Sequence, residues 1–114
     1  MNGGKISGNT AATYGGGVYN NSTFTMSGGS ISGNTADSGG GGVAQWGTFR
    51  LITGTIYGND AAGALKNNAA NGVALRTFSG SSQCGTFSGE TWNGGTSLSG
   101  SIDDTITVVN GVRE

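Results

Sequence analysis

A nine-residue segment that recurs at a fixed interval constrains this chain more than any other feature. Residues 28–36 read GGSISGNTA, residues 3–11 read GGKISGNTA, and residues 53–61 are a more divergent copy, TGTIYGNDA. Successive copies start 25 residues apart. Intervals of about 20–50 residues are typical of chains that stack one structural unit per repeat. The sequence therefore predicts a repeat architecture.

The same spacing continues outside the nine-residue segment. Val18 aligns with Val43, and Phe24 aligns with Phe49. A further Gly-Val pair at residues 72–73 follows 30 residues after the pair at 42–43. This longer interval predicts an insertion of about five residues within residues 62–70.

The pieces between the repeated glycines favour strands. No stretch has the i, i+3, i+4, i+7 apolar spacing of an amphipathic helix, and glycine supplies 25 of the 114 residues. Each glycine disfavours a helix by roughly 1 kcal/mol relative to alanine. Short β-prone pieces alternate with Gly, Asn and Ser corners, and strands of successive repeats would stack about 4.8 Å apart. We predict an all-β fold, a parallel β-helix of three to four coils with repeats of about 25 residues.

The chain is predicted to be a single β-helix domain, residues 1–114. The coils occupy residues 1–78, and residues 79–114 form an irregular closing segment that caps the C-terminal end. Residues in equivalent positions would stack in three structural ladders: Ile6, Ile31 and Ile56; Val18, Val43 and Val73; and Asn9, Asn34 and Asn59. Asn tolerates the left-handed backbone that sharp corners need.

No comparable cap is predicted at the N-terminal end, where residues 1–4 enter the repeat directly and give no sign of a signal peptide. Uncovered strand edges promote association. We therefore expect a homo-oligomer that forms through the uncapped N-terminal coil.

Composition excludes several kinds of site. Histidine is absent, which removes Ser-His-Asp catalysis and histidine metal sites. A net charge of −1 leaves no basic surface for nucleic acid. No apolar run is long enough for insertion into a membrane. Cys84 is the only cysteine, so an intrachain disulfide cannot form. We expect no cofactor and no metal.

Two enzymatic or ligand-binding alternatives remain open. Asp37 and Asp60 fall near the same corner of neighbouring coils, and with Arg50 they are the candidate catalytic residues of a polysaccharide lyase or hydrolase. Threonine pairs one repeat apart, at 10 and 35 and at 23 and 48, suggest ice binding, but each row ends after two members.

Aromatic residues supply the remaining candidates. Exposed aromatic rings stack on sugars or anchor protein partners, and the candidates for contact with a glycan or a host surface protein are Tyr19, Trp46, Tyr57 and Trp92. In the alternative interpretation, Trp46 and Trp92 pack beneath the insertion and the closing segment.

The run from residue 3 to residue 36, GGKISGNTA followed by GGGVY, FTM and GGSISGNTA, resembles the Gly/Asn-rich β-helix repeats of bacterial surface proteins. It is similar to repeats of polymorphic outer-membrane proteins and of autotransporter passengers, and the likeness extends to about residue 60. The resemblance implies a right-handed helix, an extracellular or cell-surface location in the parent protein, and a non-enzymatic role in adhesion or display. Together with the uncapped end, it favours a surface or scaffold module for adhesion, display or self-assembly over an enzyme.

Overall fold

The computed structural model describes residues 1–98 and 100–114 and has an all-β fold. One 3-10 turn, Gly63–Leu65, interrupts the strands. In chain order the strands are β1 (Asn2–Ser7), β2 (Thr10–Ala11), β3 (Val18–Asn20), β4 (Thr23–Met26), β5 (Gly28–Ser32), β6 (Thr35–Ala36), β7 (Val43–Gln45), β8 (Thr48–Leu51), β9 (Gly54–Ile56), β10 (Leu75–Thr77), β11 (Ser81–Ser88), β12 (Thr91–Ser97), β13 (Ser101–Ile102), β14 (Ile106–Val109) and β15 (Val112–Arg113).

These strands form four small sheets. The first sheet has the order β1-β5-β9-β14-β15, the second β13-β10-β7-β3 and the third β12-β11-β8-β4, while β2 and β6 form a two-stranded sheet. Each repeat of the sequence therefore contributes one strand to each of the three larger sheets. None of the described residues form a helix with the length and apolarity that a membrane crossing requires.

Strands of successive repeats pair in parallel and in register. Ile6 lies opposite Ile31, and Ile31 lies opposite Ile56. Val18 pairs with Val43 in the second sheet, and Phe24 pairs with Phe49 in the third. Each of these pairs joins residues that occupy the same position in neighbouring repeats, so their apolar side chains meet on the same side of a sheet.

The third repeat departs from the predicted alignment. Leu75, not Val73, lies opposite Val43. The Gly-Val pair at residues 72–73 misled the alignment because it copies the sequence of the earlier pair but lies two residues short of the paired position. The buried Val73 contributes its carbonyl to the Gly42 N–H instead.

Strand β11 continues the third repeat beyond the predicted boundary at residue 78, because it pairs in parallel with β8. From β12 onward the closing segment runs back over the third repeat in the opposite direction. Strand β12 pairs antiparallel with β11, β13 with β10, and β14 with β9. The segment thus visits the three large sheets in reverse order, and β15 turns back on β14. Where the sequence predicted an irregular cap, the structure has regular antiparallel pairing, and the sheets are consequently mixed.

The apolar core lies between the sheets and continues into the closing segment. Its buried members are Met26, Ile31, Val43, Phe49, Leu51, Ile56, Ala74, Leu75, Cys84, Leu98, Ile106 and Val108. Side chains of the first repeat pack against this cluster but are only partly buried: Met1, Ile6, Val18 and Phe24. Ile102 in the closing segment is also only partly buried, so four of the five partly buried members of the core lie at the N-terminal end.

Candidate functional site

The N-terminal end presents a set of strands whose outer side is largely unpaired. Met1 lies along part of β4, where its amino group donates to the Thr25 carbonyl and its carbonyl accepts from the Ser27 N–H. Strands β1, β3 and β4 are terminal strands of the three larger sheets, and β2 terminates the small sheet. All four belong to the first repeat, and we call this set the open edge. A terminal strand offers main-chain N–H and C=O groups to any chain that can pair with it.

A column of asparagine side chains begins at the open edge and passes through the repeats. Asn34 Oδ1 accepts hydrogen bonds from the Asn9 main-chain N–H and from Asn9 Nδ2, at 3.0 and 3.1 Å. Asn67 Oδ1 accepts the equivalent pair from Asn34, at 2.9 and 3.1 Å. Asn34 and Asn67 are fully buried, whereas Asn9 is exposed. The column satisfies buried polar groups that would otherwise destabilise the fold.

The predicted asparagine ladder is wrong at its third position. Asn59 is exposed, and its main-chain N–H donates to the Asp103 carbonyl in the closing segment. The chain leaves the stack after β9 and returns at Asn67, which follows Asn34 by 33 residues rather than 25. Only the Asn-Asn pair at 67–68 hinted at this return. The predicted left-handed asparagines are also wrong, because Asn110 is the one non-glycine residue with positive φ among those described.

A second polar column lies in the second sheet and was not predicted. Asn20 Nδ2 donates to Gln45 Oε1, and Gln45 Nε2 donates to the Ser81 carbonyl. Asn20 and Gln45 are both buried. Their positions are one repeat apart, but the change from Asn to Gln concealed the equivalence in the sequence.

An aromatic stack lies across the repeats. The rings of Tyr19 and Trp46 stack with centroids 4.7 Å apart, and those of Trp46 and Phe78 stack at 4.2 Å. Tyr14 contacts Trp46 and Phe78 edge-on, at 5.4 and 4.8 Å. Both faces of the Trp46 ring are therefore covered, which leaves it unable to stack on a sugar. Tyr19, at the open edge and 56% exposed, ends the stack.

The other two aromatic candidates have different surroundings. Tyr57 is half-buried, and its carbonyl accepts a hydrogen bond from Asn67. Trp92 contacts Phe87 edge-on and donates from Nε1 to Gln83 Oε1 at 3.0 Å. Trp92 therefore packs within the closing segment, as one of the two interpretations expected.

Two arginines lie against aromatic rings. The Arg50 guanidinium carbon is 5.6 Å from the Phe87 ring centroid and 5.5 Å from that of Trp92, and Arg76 lies 5.1 Å from the Phe78 centroid. Such cation–π contacts contribute about 0.5–2 kcal/mol. The Nε atoms of both arginines are buried and have no hydrogen-bond partner among the described residues.

The two carboxylates proposed for an enzymatic site, Asp37 and Asp60, share no contact. Asp60 Oδ1 accepts hydrogen bonds from the Thr105 hydroxyl and main-chain N–H, at 2.6 and 2.8 Å. These two bonds hold the pKa of Asp60 below its ordinary value. Asp37 is exposed. Within the described part of the chain no contact joins Asp37, Asp60 and Arg50, and no pocket or three-residue metal-ligand group is found.

The threonine rows and Cys84 are the remaining candidates from the sequence. Thr10 pairs with Thr35 and Thr23 with Thr48, as the ice-binding interpretation requires. The next positions hold Asn68 and Ser81, and each threonine row ends after two members. Cys84 is buried, and burial raises the pKa of its thiol.

Comparisons with known proteins add no relative from which a function could be transferred. No family model, no curated protein and no solved structure matches the chain. The function is therefore argued from the geometry of the open edge and of the surfaces beside it.

Proposed function

We propose that the chain is a short parallel β-helix and acts as a non-enzymatic scaffold module. Each repeat would form one coil, and the closing segment would cover the last of them. Support comes from the parallel pairing of equivalent residues in all three large sheets, including Ile31 with Ile56 and Thr48 with Ser81. The right-handed sense, the extracellular or cell-surface location and the roles in adhesion and display rest on the resemblance to bacterial surface repeats.

The observation that carries the proposed self-assembly is the difference in core burial between the two ends, because both ends have terminal strands: β1, β3 and β4 at one end, and β15, β13 and β12 at the other. The closing segment buries Leu98, Ile106 and Val108 at one end. At the other end Ile6, Val18 and Phe24 belong to the same core and remain partly exposed beside unpaired strands. Covering these side chains would remove apolar surface from water at about 25 cal/mol per Å². We propose that a second copy of the chain associates through the open edge, giving a homo-oligomer.

A glycan or a host surface protein is a second proposed partner, at the exposed aromatic ring that ends the stack. Tyr19 supports this proposal because its ring is exposed and belongs to a stack that fixes its orientation. The lyase or hydrolase alternative has weaker support, since Asp60 is engaged by Thr105 and Arg50 lies against Phe87 and Trp92.

Sedimentation equilibrium of the full chain tests the self-assembly. We expect a defined oligomer whose dissociation constant rises at least tenfold in Thr23→Lys, because a lysine on the exposed side of β4 brings a charge to the open edge. Thr91→Lys is the matched control: it places the same change at an exposed position of β12, a terminal strand at the opposite end. A monomer at every concentration, or equal effects of the two variants, would contradict association through the open edge.

A further inference from the structure

The asparagine column has a direction. In each step, the side-chain oxygen of one asparagine accepts both donors of the asparagine in the preceding repeat. The amide of the later residue also donates to the isoleucine carbonyl of the preceding repeat: Asn34 Nδ2 to Ile6 at 3.0 Å, and Asn67 Nδ2 to Ile31 at 2.9 Å. Every step therefore has an acceptor and a donor that face toward the open edge.

Asn9 is the first residue of this column and lacks those partners. No donor among the described residues reaches Asn9 Oδ1, and its Nδ2 donates to the neighbouring Ser7 carbonyl at 3.2 Å instead of to an isoleucine of another repeat. The open edge thus presents an unused acceptor at the position where the column would continue.

The apolar and aromatic columns end at the same edge. Ile6, Val18 and Phe24 are the first members of columns whose next members, Ile31, Val43 and Phe49, are buried. Tyr19 likewise ends the aromatic stack with an exposed ring. A further coil with the same spacing would extend all of these columns at once.

We propose that the open edge binds a further coil of this same 25-residue repeat, running parallel to β1. This inference rests on the proposed β-helix. The incoming segment adds a strand to each sheet, as in recognition by β-strand addition. Its Ile-Ser-Gly-Asn sequence provides the specificity: the asparagine N–H and Nδ2 donate to Asn9 Oδ1, and Asn9 Nδ2 turns from Ser7 to the incoming isoleucine carbonyl.

A second copy of the chain fits this edge less well. Two open edges that meet face to face about a twofold axis run antiparallel, so no asparagine of the second copy supplies both donors in the parallel register. Such a contact also brings together like charges, because residues 1–26 contain Lys5 and the amino terminus but no Asp or Glu. The proposed homo-oligomer is therefore the weaker association at this edge, and a repeat coil competes with the second copy and displaces it.

The test mixes the full chain with a synthetic peptide of residues 28–49, which carries Ile31 and Asn34 in their natural spacing and ends before the place that Met1 occupies beside β4. We expect sedimentation equilibrium to show conversion to a 1:1 complex of chain and peptide. Amide hydrogen exchange should then slow in β1, β3 and β4 and stay unchanged in β12. The Asn34→Ala peptide keeps the main-chain donor but loses Nδ2, and it should bind several-fold more weakly.

Variants of the chain test the role of Asn9. Because Asn9 is exposed, Asn9→Ala should leave the fold intact while weakening peptide binding at least tenfold, through the loss of the three hydrogen bonds that its side chain makes to the incoming coil. Asn9→Asp retains an acceptor oxygen and should bind more tightly than Asn9→Ala. Asn93→Ala, an exposed asparagine on β12, is the matched control and should bind like the parent chain.

Each outcome separates this inference from the proposed self-assembly. An oligomer whose mass the peptide leaves unchanged would make a second copy the occupant and overturn the inference while the scaffold proposal stands. A monomer that binds the peptide with the expected dependence on Asn9 would uphold the inference and remove the homo-oligomer. Peptide binding that is indifferent to Asn9 and to Asn34, or no binding at all, would overturn the inference.

Discussion

At the scale of single residues, glycine determines where the chain can turn into the second sheet. Gly15, Gly40 and Gly72 precede its strands in successive repeats and have φ values of 71°, 65° and 58°. A Cβ atom at Gly40 would lie 2.6 Å from the Val43 carbonyl oxygen. A side chain there would therefore meet both an unfavourable backbone conformation and main-chain atoms that belong to a paired strand.

Gly40→Ala should lower the free energy of unfolding by more than the 1–2 kcal/mol or so that a left-handed alanine costs by itself. Gly63→Ala is the matched control, because Gly63 has a φ of 48° but nothing within 4 Å of its missing Cβ. Urea denaturation of both variants would measure the difference. Equal losses would show that the corner relaxes around the added methyl group.

The residue scale also shows where sequence analysis stops. Ile6, Ile31 and Ile56 were correctly aligned because nothing is inserted between their repeats. Asn67 was not predicted because its place in the column depends on where the inserted segment after β9 ends. The length of that segment is set by packing around residues 57–66, and no local pattern in the sequence encodes it.

At the scale of elements, the closing segment is attached to the third repeat by side chains as well as by strand pairing. The pKa of Asp60 is lowered first by the Thr105 hydroxyl and then by the Thr105 N–H. A carboxyl group whose folded pKa lies below its unfolded value stabilises the fold above the unfolded value, 3.8. This stability is lost as the pH falls through the folded pKa.

Asp60→Asn should therefore reduce the loss of stability that occurs as the pH is lowered from neutrality to below 3.8. Thr105→Val removes the hydroxyl donor and should flatten the same part of the profile. Thr105→Val also removes the acceptor of the Gly58 N–H and should lower stability at every pH. Because both changes remove the contact between Asp60 and the Thr105 hydroxyl, the pH dependence of the double variant should show little further change. Urea denaturation across the pH range is the measurement, and a profile for Asp60→Asn that parallels the parent chain would contradict the assignment.

The two faces of β14 should respond very differently to truncation. Ile106 is fully buried opposite Ile56, whereas Val109, three residues later, is 44% exposed. We expect Ile106→Ala to lower the free energy of unfolding by about 2–5 kcal/mol and Val109→Ala by less than about 0.5 kcal/mol. Thermal and urea denaturation would show both effects. Similar small losses would mean that the closing segment contributes little to the core.

At the scale of the whole molecule, the repeats and the closing segment share one core. The all-β class was predictable from glycine content, the short β-prone pieces and the repeat interval. The antiparallel return of the closing segment was not, because residues 79–114 lack the repeat that would have revealed their register. Phe87 and Trp92, five residues apart in the sequence, become neighbours because β11 and β12 form a hairpin.

Cys84 offers a test of whether this shared core unfolds as one unit. Its thiol is buried on β11 opposite Leu51, and burial raises its pKa, so the native protein should react slowly with iodoacetamide. Leu98, Ile106 and Val108 join the closing segment to the same core. The free energy derived from the labelling rate should therefore equal that of global unfolding in urea, and Ile106→Ala should lower both by the same amount. Labelling of the parent chain could instead be much faster than the rate expected from global unfolding. That result would show that the closing segment opens separately and exposes the third repeat as a second unpaired edge.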